Sequence, residues 1–356
     1  MSIWDYRANF AYDDPLDPLD KRRVDLNDAR GDYSRKQLLR GLGIDLASSR
    51  LRDIPRGRNI LFGGHRGCGK STELRAIASE LEGPERFLVV SIDALKALDI
   101  NNLTYADVAL VLAEALADTA EKAGITVPEV YLTPLRDWFK EISTNSEFGS
   151  SLSGELKTGA TAGAGLPFIG KMFASLTAAI RSNTTYKTDI REKVRNAFSA
   201  LAAGFNQLLS FVEQEVSVCG KGKSVIFVVD GTDRLRGDEA DAFFIRDIHQ
   251  LQQLRANCIY CAPISVLNEQ GQIGQNFDAI FRLPMVKLAE KGRPERVAVA
   301  WERLRAFLHK RSRSRISTIP TPLISSLSIR VATRATCCDW SIWGFRKSTR
   351  DRSPER

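Results

Sequence analysis

An α/β fold built on a doubly wound, parallel five-stranded sheet is what this sequence predicts, and three observations carry the expectation. Five short runs, 60–62, 87–92, 225–229, 258–262 and 279–283, are of strand length and almost entirely apolar, as strands covered on both faces of a parallel sheet are. Helical patterns separate them, which is the arrangement that right-handed β-α-β crossovers need. The first run leads directly into a glycine-rich turn and then a helix. At 356 residues with 43% hydrophobic content, the chain is long enough to bury one large core or two modest ones.

The first strand and its turn read Asn59-Ile-Leu-Phe-Gly-Gly-His-Arg-Gly-Cys-Gly-Lys-Ser-Thr72. The spacing Gly64-x4-Gly69-Lys70-Ser71 is the Walker A pattern of a phosphate-binding loop. Glycines let the backbone curl so that successive N–H groups face a phosphate, and the N-terminus of the following helix adds its positive dipole end. The candidate nucleotide-binding set is therefore Gly64, His65, Arg66, Gly67, Cys68, Gly69, Lys70, Ser71 and Thr72. Lys70 is expected to reach the β- and γ-phosphates of a nucleoside triphosphate, and the Ser71 hydroxyl to ligate Mg²⁺.

After the second strand at 87–92, a helix is predicted from Tyr105 to Lys122, with Thr104 as its N-cap. About 160 residues separate Lys70 from the next motif, more than a minimal nucleotide-binding core requires, so residues 126–220 read as a helical insertion. Within it, 150–165 is rich in small residues and predicts a linker. Helices follow at 168–181 and 187–217, the second with Val194, Phe198, Leu201, Phe205, Leu208 and Leu209 along one stripe. Packing of this stripe within the chain is expected before docking on a partner. The third strand ends in Val229-Asp230-Gly-Thr-Asp233-Arg234. Asp230 is placed to hold Mg²⁺ as a Walker B aspartate does. Asp233, the nearest further carboxylate on that turn, either serves as the base that activates water or merely caps the segment that follows.

An apolar strand ending in Asp-Gly-x-Asp-Arg, paired with Gly-His-Arg-Gly-x-Gly-Lys-Ser-Thr-Glu-Leu, resembles the STAND and KAP side of the AAA+-related P-loop ATPases, over roughly residues 20–310. The resemblance implies an ASCE/AAA+-like core with strand order 5-1-4-3-2, ATP and Mg²⁺ as ligands, and a signalling switch, in many bacterial members one that serves in phage defence. It also implies a sensor polar group after the fourth strand, here Ser265 or Asn268, and a helical lid beginning at helix 294–310. Arg282 is placed at the junction to that lid, and Arg30-Gly31-Asp32 near the adenine. Gly231 stands where many AAA+ proteins carry a water-activating glutamate. The corresponding division of the chain is a polar segment 1–57, core 58–125, insertion 126–220, core 221–290, lid start 291–310 and tail 311–356.

The net charge of +8 points toward nucleic acid only until it is located. Residues 311–356 hold ten Lys/Arg against three Asp/Glu, a net of +7. The remaining 310 residues are nearly neutral, so their charge does not support nucleic-acid binding. No run approaches the 18 apolar residues of a membrane span and the N-terminus lacks a signal-peptide hydrophobic stretch, so a cytoplasmic protein is expected. Cys258 and Cys261 share C-x-x-C spacing, but within an apolar strand they read as buried small hydrophobes.

The tail shows no amphipathic period, 14 Ser/Thr and an adjacent Cys337-Cys338 pair. Read one base out of register, Ile329-Arg-Val-Ala-Thr-Arg-Ala-Thr-Cys-Cys-Asp-Trp340 can yield Ser-Gly-Gly-His-Pro-Arg-Asp-Leu-Leu-Arg-Leu. That string is similar to the Gly-x-Pro lid motif of STAND-type ATPases. The leucines arising at the Cys-Cys and Asp-Trp junctions follow from any codon choice. A frameshift that truncates the lid is therefore expected, and resequencing the gene tests it: stop codons closing the alternate frame here would end the idea.

The expected function is a Mg-ATP-binding switch whose output is contact with a protein partner or self-association. Two alternatives are a DNA-associated AAA+ ATPase of the origin-recognition type and a small-molecule kinase. The first needs a basic appendage, the second usually a shorter chain between the two motifs. A GTPase is disfavoured because no Asn-Lys-x-Asp segment is present.

Overall fold

The structure, a computed structural model, describes residues 15–31, 33–53, 56–100, 103–143, 165–182, 187–268, 270–289 and 297–312. Asp32, most of the 150–165 linker and residues 313–356 of the tail lie outside these, as do the first residues of helix 294–310. In chain order the main elements are α1 Arg35–Gly41, β1 Asn59–Gly64, α2 Lys70–Leu81, β2 Phe87–Asp93, α3 Tyr105–Lys122 and α4 Glu129–Ser143. There follow α5 Leu166–Arg181, α6 Lys187–Asn196, α7 Phe198–Val218, β3 Ser224–Asp230, β4 Asn257–Pro263, α8 Gln270–Asn276, β5 Ala279–Leu283 and α9 Ala298–Ser312. A two-stranded hairpin, Ile44–Asp45 with Arg50–Leu51, precedes β1.

The five long strands form one all-parallel sheet in the order β2-β3-β4-β1-β5. That is the 5-1-4-3-2 order expected from the resemblance, read from the other edge. β1 lies between β4 and β5, with Leu61 opposite both Tyr260 and Ile280.

Successive side chains of a strand face opposite ways, and the apolar runs use both faces. Leu61, Phe227, Tyr260 and Val90 join one core with α3, α4, α5 and α7. Ile60, Phe62, Ile226 and Ile259 join the other with α1 and α2. Helices thus cover both sides, and no residue of β1 is exposed to solvent. At about 1.5–3 kcal/mol for each large aliphatic or aromatic side chain taken from water, these two layers hold the sheet.

The insertion packs on the larger core rather than standing apart. α3 begins where the sequence predicts, and the Thr104 N–H donates to the Asp107 carboxylate at 2.9 Å, as one half of a capping box. Arg191 of α6 pairs with Asp107 inside the protein, and Lys187 pairs with Asp99 at 2.6 Å, so α6 is fastened to the start of α3. The helix expected over 187–217 is two helices, broken at Ala197. The Ala197 carbonyl accepts from the indole of buried Trp138 at 3.0 Å, which fixes the break against α4. The stripe Val194, Phe198, Leu201, Phe205, Leu208 and Leu209 is buried within the chain. The helix expected over 294–310 is described over Ala298–Ser312, and the Arg311 guanidinium lies over the Phe307 ring, 4.3 Å from its centroid.

Candidate functional site

Lys70, Ser71, Asp230 and Asp233, all singled out in the sequence, meet at the C-terminal edge of the sheet. Between β1 and α2 the chain turns through Gly67 and Gly69, whose φ angles of 82° and 91° are left-handed and suit glycine. Gly64 is required by proximity instead, because a Cβ there would stand 2.5 Å from the Leu283 carbonyl oxygen. The turn closes with the Cys68 N–H donating to the His65 carbonyl at 3.2 Å, and α2 starts with the Glu73 N–H on the Gly69 carbonyl. His65, Arg66, Gly67 and Gly69 are exposed, whereas Cys68 and Lys70 are buried.

Lys70 turns back under the loop. Its ammonium donates to the Gly64 and His65 carbonyls, both at 3.1 Å, and lies 2.9 Å from Asp233 Oδ2. Burial alone would push this ammonium's pKa down; the negative charge of Asp233 holds it above the ordinary value. Ser71 Oγ donates to Asp230 Oδ1 at 3.1 Å, and the Gly231 N–H donates to the same oxygen at 2.8 Å. Burial raises the Asp230 carboxyl, with those two hydrogen bonds opposing the shift. The Thr232 hydroxyl donates to the Cys261 carbonyl, tying this turn to β4.

Asp230, Asp233 and Cys261 offer ligand atoms all within 4.8 Å of one another. Burial raises the Cys261 thiol well above its usual range, which keeps it protonated. The usable donors are therefore oxygens: the two carboxylates and the Ser71 hydroxyl, a set that suits a hard cation such as Mg²⁺.

The structure thus brings Lys70 and Ser71, at the start of α2, together with Asp230 and Asp233, at the end of β3 and in the turn after it, two segments that are remote in sequence. Thr72 faces elsewhere, its hydroxyl accepting from the Leu16 N–H at 3.3 Å. Ser265 and Asn268 are exposed on the turn after β4. Arg282 donates to the Leu267 carbonyl at 2.7 Å. Arg30 is 6% exposed and directed into the protein, with its Nη2 on the Cys68 carbonyl at 2.7 Å and its Nη1 on the Pro284 carbonyl. Two neighbours escaped the sequence reading. Asp93 ends β2 directly opposite Asp230 in the parallel register, and Cys261 lies beneath the acidic pair. The signal for Asp93 was present, since Val90-Ser-Ile-Asp93 is also an apolar strand ending in aspartate.

No family model matches the chain, and no curated protein or solved structure matches it either. Among the described residues, no helix is long and apolar enough to cross a membrane.

Proposed function

We propose that the site defines a P-loop ATPase with an AAA+-like core, a class in which a glycine-rich loop and an acidic strand end grip Mg-ATP. Within that class, the chain is read as a nucleotide-dependent switch of the STAND and KAP kind, acting in the cytoplasm of a bacterium through a protein partner or its own copies, with phage defence as a candidate setting. The observation that carries the reading is the contact between Ser71 and Asp230, 3.1 Å apart, beside a buried Lys70. A hydroxyl at the start of a helix and a carboxylate at a neighbouring strand end make an oxygen pair that fits Mg²⁺.

On this reading Lys70 and the loop N–H groups hold the β- and γ-phosphates, and Ser71 and Asp230 hold Mg²⁺. Mg²⁺ held by these residues would neutralise charge on the phosphates. Asp233 takes the proton of the attacking water. Its carboxylate faces the loop at Lys70 instead of capping the residues behind it, which favours the base role over the cap.

The switch part rests on what touches α9. Arg303 pairs with Asp28 at 2.6 Å and the Lys310 ammonium donates to the Arg23 carbonyl, while ahead of α9 the Lys287 N–H donates to the Ala29 carbonyl. The same N-terminal segment reaches α2 through Arg75 and Asp17 at 2.9 Å, and through Arg35 and Glu73 at 2.7 Å. These contacts give a change at the loop a route toward α9, which supports the switch reading.

Calorimetric titration of the full chain with ATP, ADP and GTP, with Mg²⁺ and with EDTA, tests this. Binding of ATP is expected to depend on Mg²⁺ and to weaken on acidification. Because burial raises Asp230, its charged, metal-holding form is lost at a higher pH than for an ordinary aspartate. Failure of the wild-type chain to bind ATP at millimolar concentration would end the proposal.

A further inference from the structure

We infer that Arg30 is a positioning residue for the nucleotide phosphates: by holding the Cys68 carbonyl it turns the Gly69 N–H toward the hollow of the loop, and among the described residues its charge has no ion-pair partner. The inference rests on the phosphate-loop reading and adds a residue that lies outside the Walker patterns.

Three observations support it. The Arg30 guanidinium is buried, yet among the described residues it makes no ion pair, and its Nε has no hydrogen-bond partner. Burial lowers its pKa from the ordinary value, and the surrounding negative groups offset this only in part. A buried cation without a paired anion is costly. It is retained here against a loop built to take anions.

The second observation is the direction of its hydrogen bonds. Nη2 holds the Cys68 carbonyl at 2.7 Å, and Nη1 holds the carbonyl of Pro284, just past β5. Across a trans peptide the C=O and the following N–H point opposite ways. Pinning the Cys68 oxygen toward Arg30 therefore turns the Gly69 N–H away from Arg30. The third is proximity to the flexible point of the turn: a Cβ on Gly69, at φ 91°, would stand 3.5 Å from Nη2. Without the guanidinium, the Cys68–Gly69 peptide is free to rotate and to present its oxygen, not its N–H, to a phosphate.

The test compares wild type, Arg30→Lys and Arg30→Met as full chains, reading ATP and ADP affinity, kcat and KM. Arg30→Met is expected to weaken both nucleotides by about 10- to 100-fold, the size of a charge-assisted hydrogen bond and its charge. KM should rise in step while kcat at saturation stays near wild type. Arg30→Lys, which keeps the charge and can hold one of the two carbonyls, should fall between them. If Arg30→Met does not fold, Arg30→Lys alone carries the comparison. A folded Arg30 variant with lowered melting temperature but wild-type affinity would overturn the inference and leave the ATPase reading standing. Absence of nucleotide binding in wild type would overturn both.

Discussion

Lys70→Ala is expected to abolish ATP binding, lowering affinity by at least 100-fold, because the ammonium is the main positive charge at the floor of the loop. The size follows from removing a sheltered charge–charge contact, about 3 kcal/mol or more in a site that excludes water. A second effect accompanies the first. Lys70 is 6% exposed and neutralises Asp233, whose side chain keeps 15% exposure. Its removal leaves that carboxylate uncompensated, so the unliganded variant should also unfold at lower denaturant concentration. The two are separated by titrating ATP under conditions where circular dichroism shows the variant folded. Equal affinity for ATP in folded wild type and variant would remove the basis for every form of the proposed function.

Asp233→Asn is expected to move affinity and turnover in opposite directions. Without nucleotide, Asp233 occupies Lys70 at 2.9 Å, so phosphate oxygens must compete with it for the same ammonium. An amide is a weaker competitor, and ATP should bind several-fold more tightly, by roughly the 1–3 kcal/mol of a charged hydrogen bond less what desolvation returns. The same change removes the proposed proton acceptor, and turnover should fall by about 10²- to 10⁴-fold. Single-turnover hydrolysis with excess enzyme checks the second effect without interference from the first. Loss of turnover with unchanged affinity would leave Asp233 as base but not as competitor. Unchanged turnover would return it to the role of a cap for the segment behind it.

The parts of this molecule that were legible beforehand are those specified by a short stretch of chain. Strand length, apolar content and the terminating Asp230 are local, and the structure has β3 over Ser224–Asp230. The helix expected from about Tyr105 to Lys122 was readable because its start after Thr104 and its apolar period agree. The break at Ala197 was not readable: it depends on the Trp138 indole, which reaches that carbonyl from 59 positions away. Arg30 was expected near the adenine, and its actual place beneath the loop was hidden for the same reason. Its sequence neighbours describe a polar turn, and only the approach of β5 and the loop turns it inward. Cys261 looked like filler because strand alternation predicts burial. Nothing in the sequence indicates that its face of β4 meets Asp230 and Asp233.

The position of β1 in the sheet has a consequence for how the protein is made. β1 pairs with β4 and β5, strands that the chain reaches only after passing all of α3 to α7. Such distant pairings are slow to close. During synthesis the glycine loop leaves the ribosome early, yet it has no walls until Leu283 has emerged, since Gly64 packs against that residue's carbonyl. A nascent chain shorter than this would be unable to retain a ligand, and the edges of its half-built sheet would stay open to chaperones. Once β5 is in place, the loop and its acids are all present, whatever residues the ribosome adds afterwards.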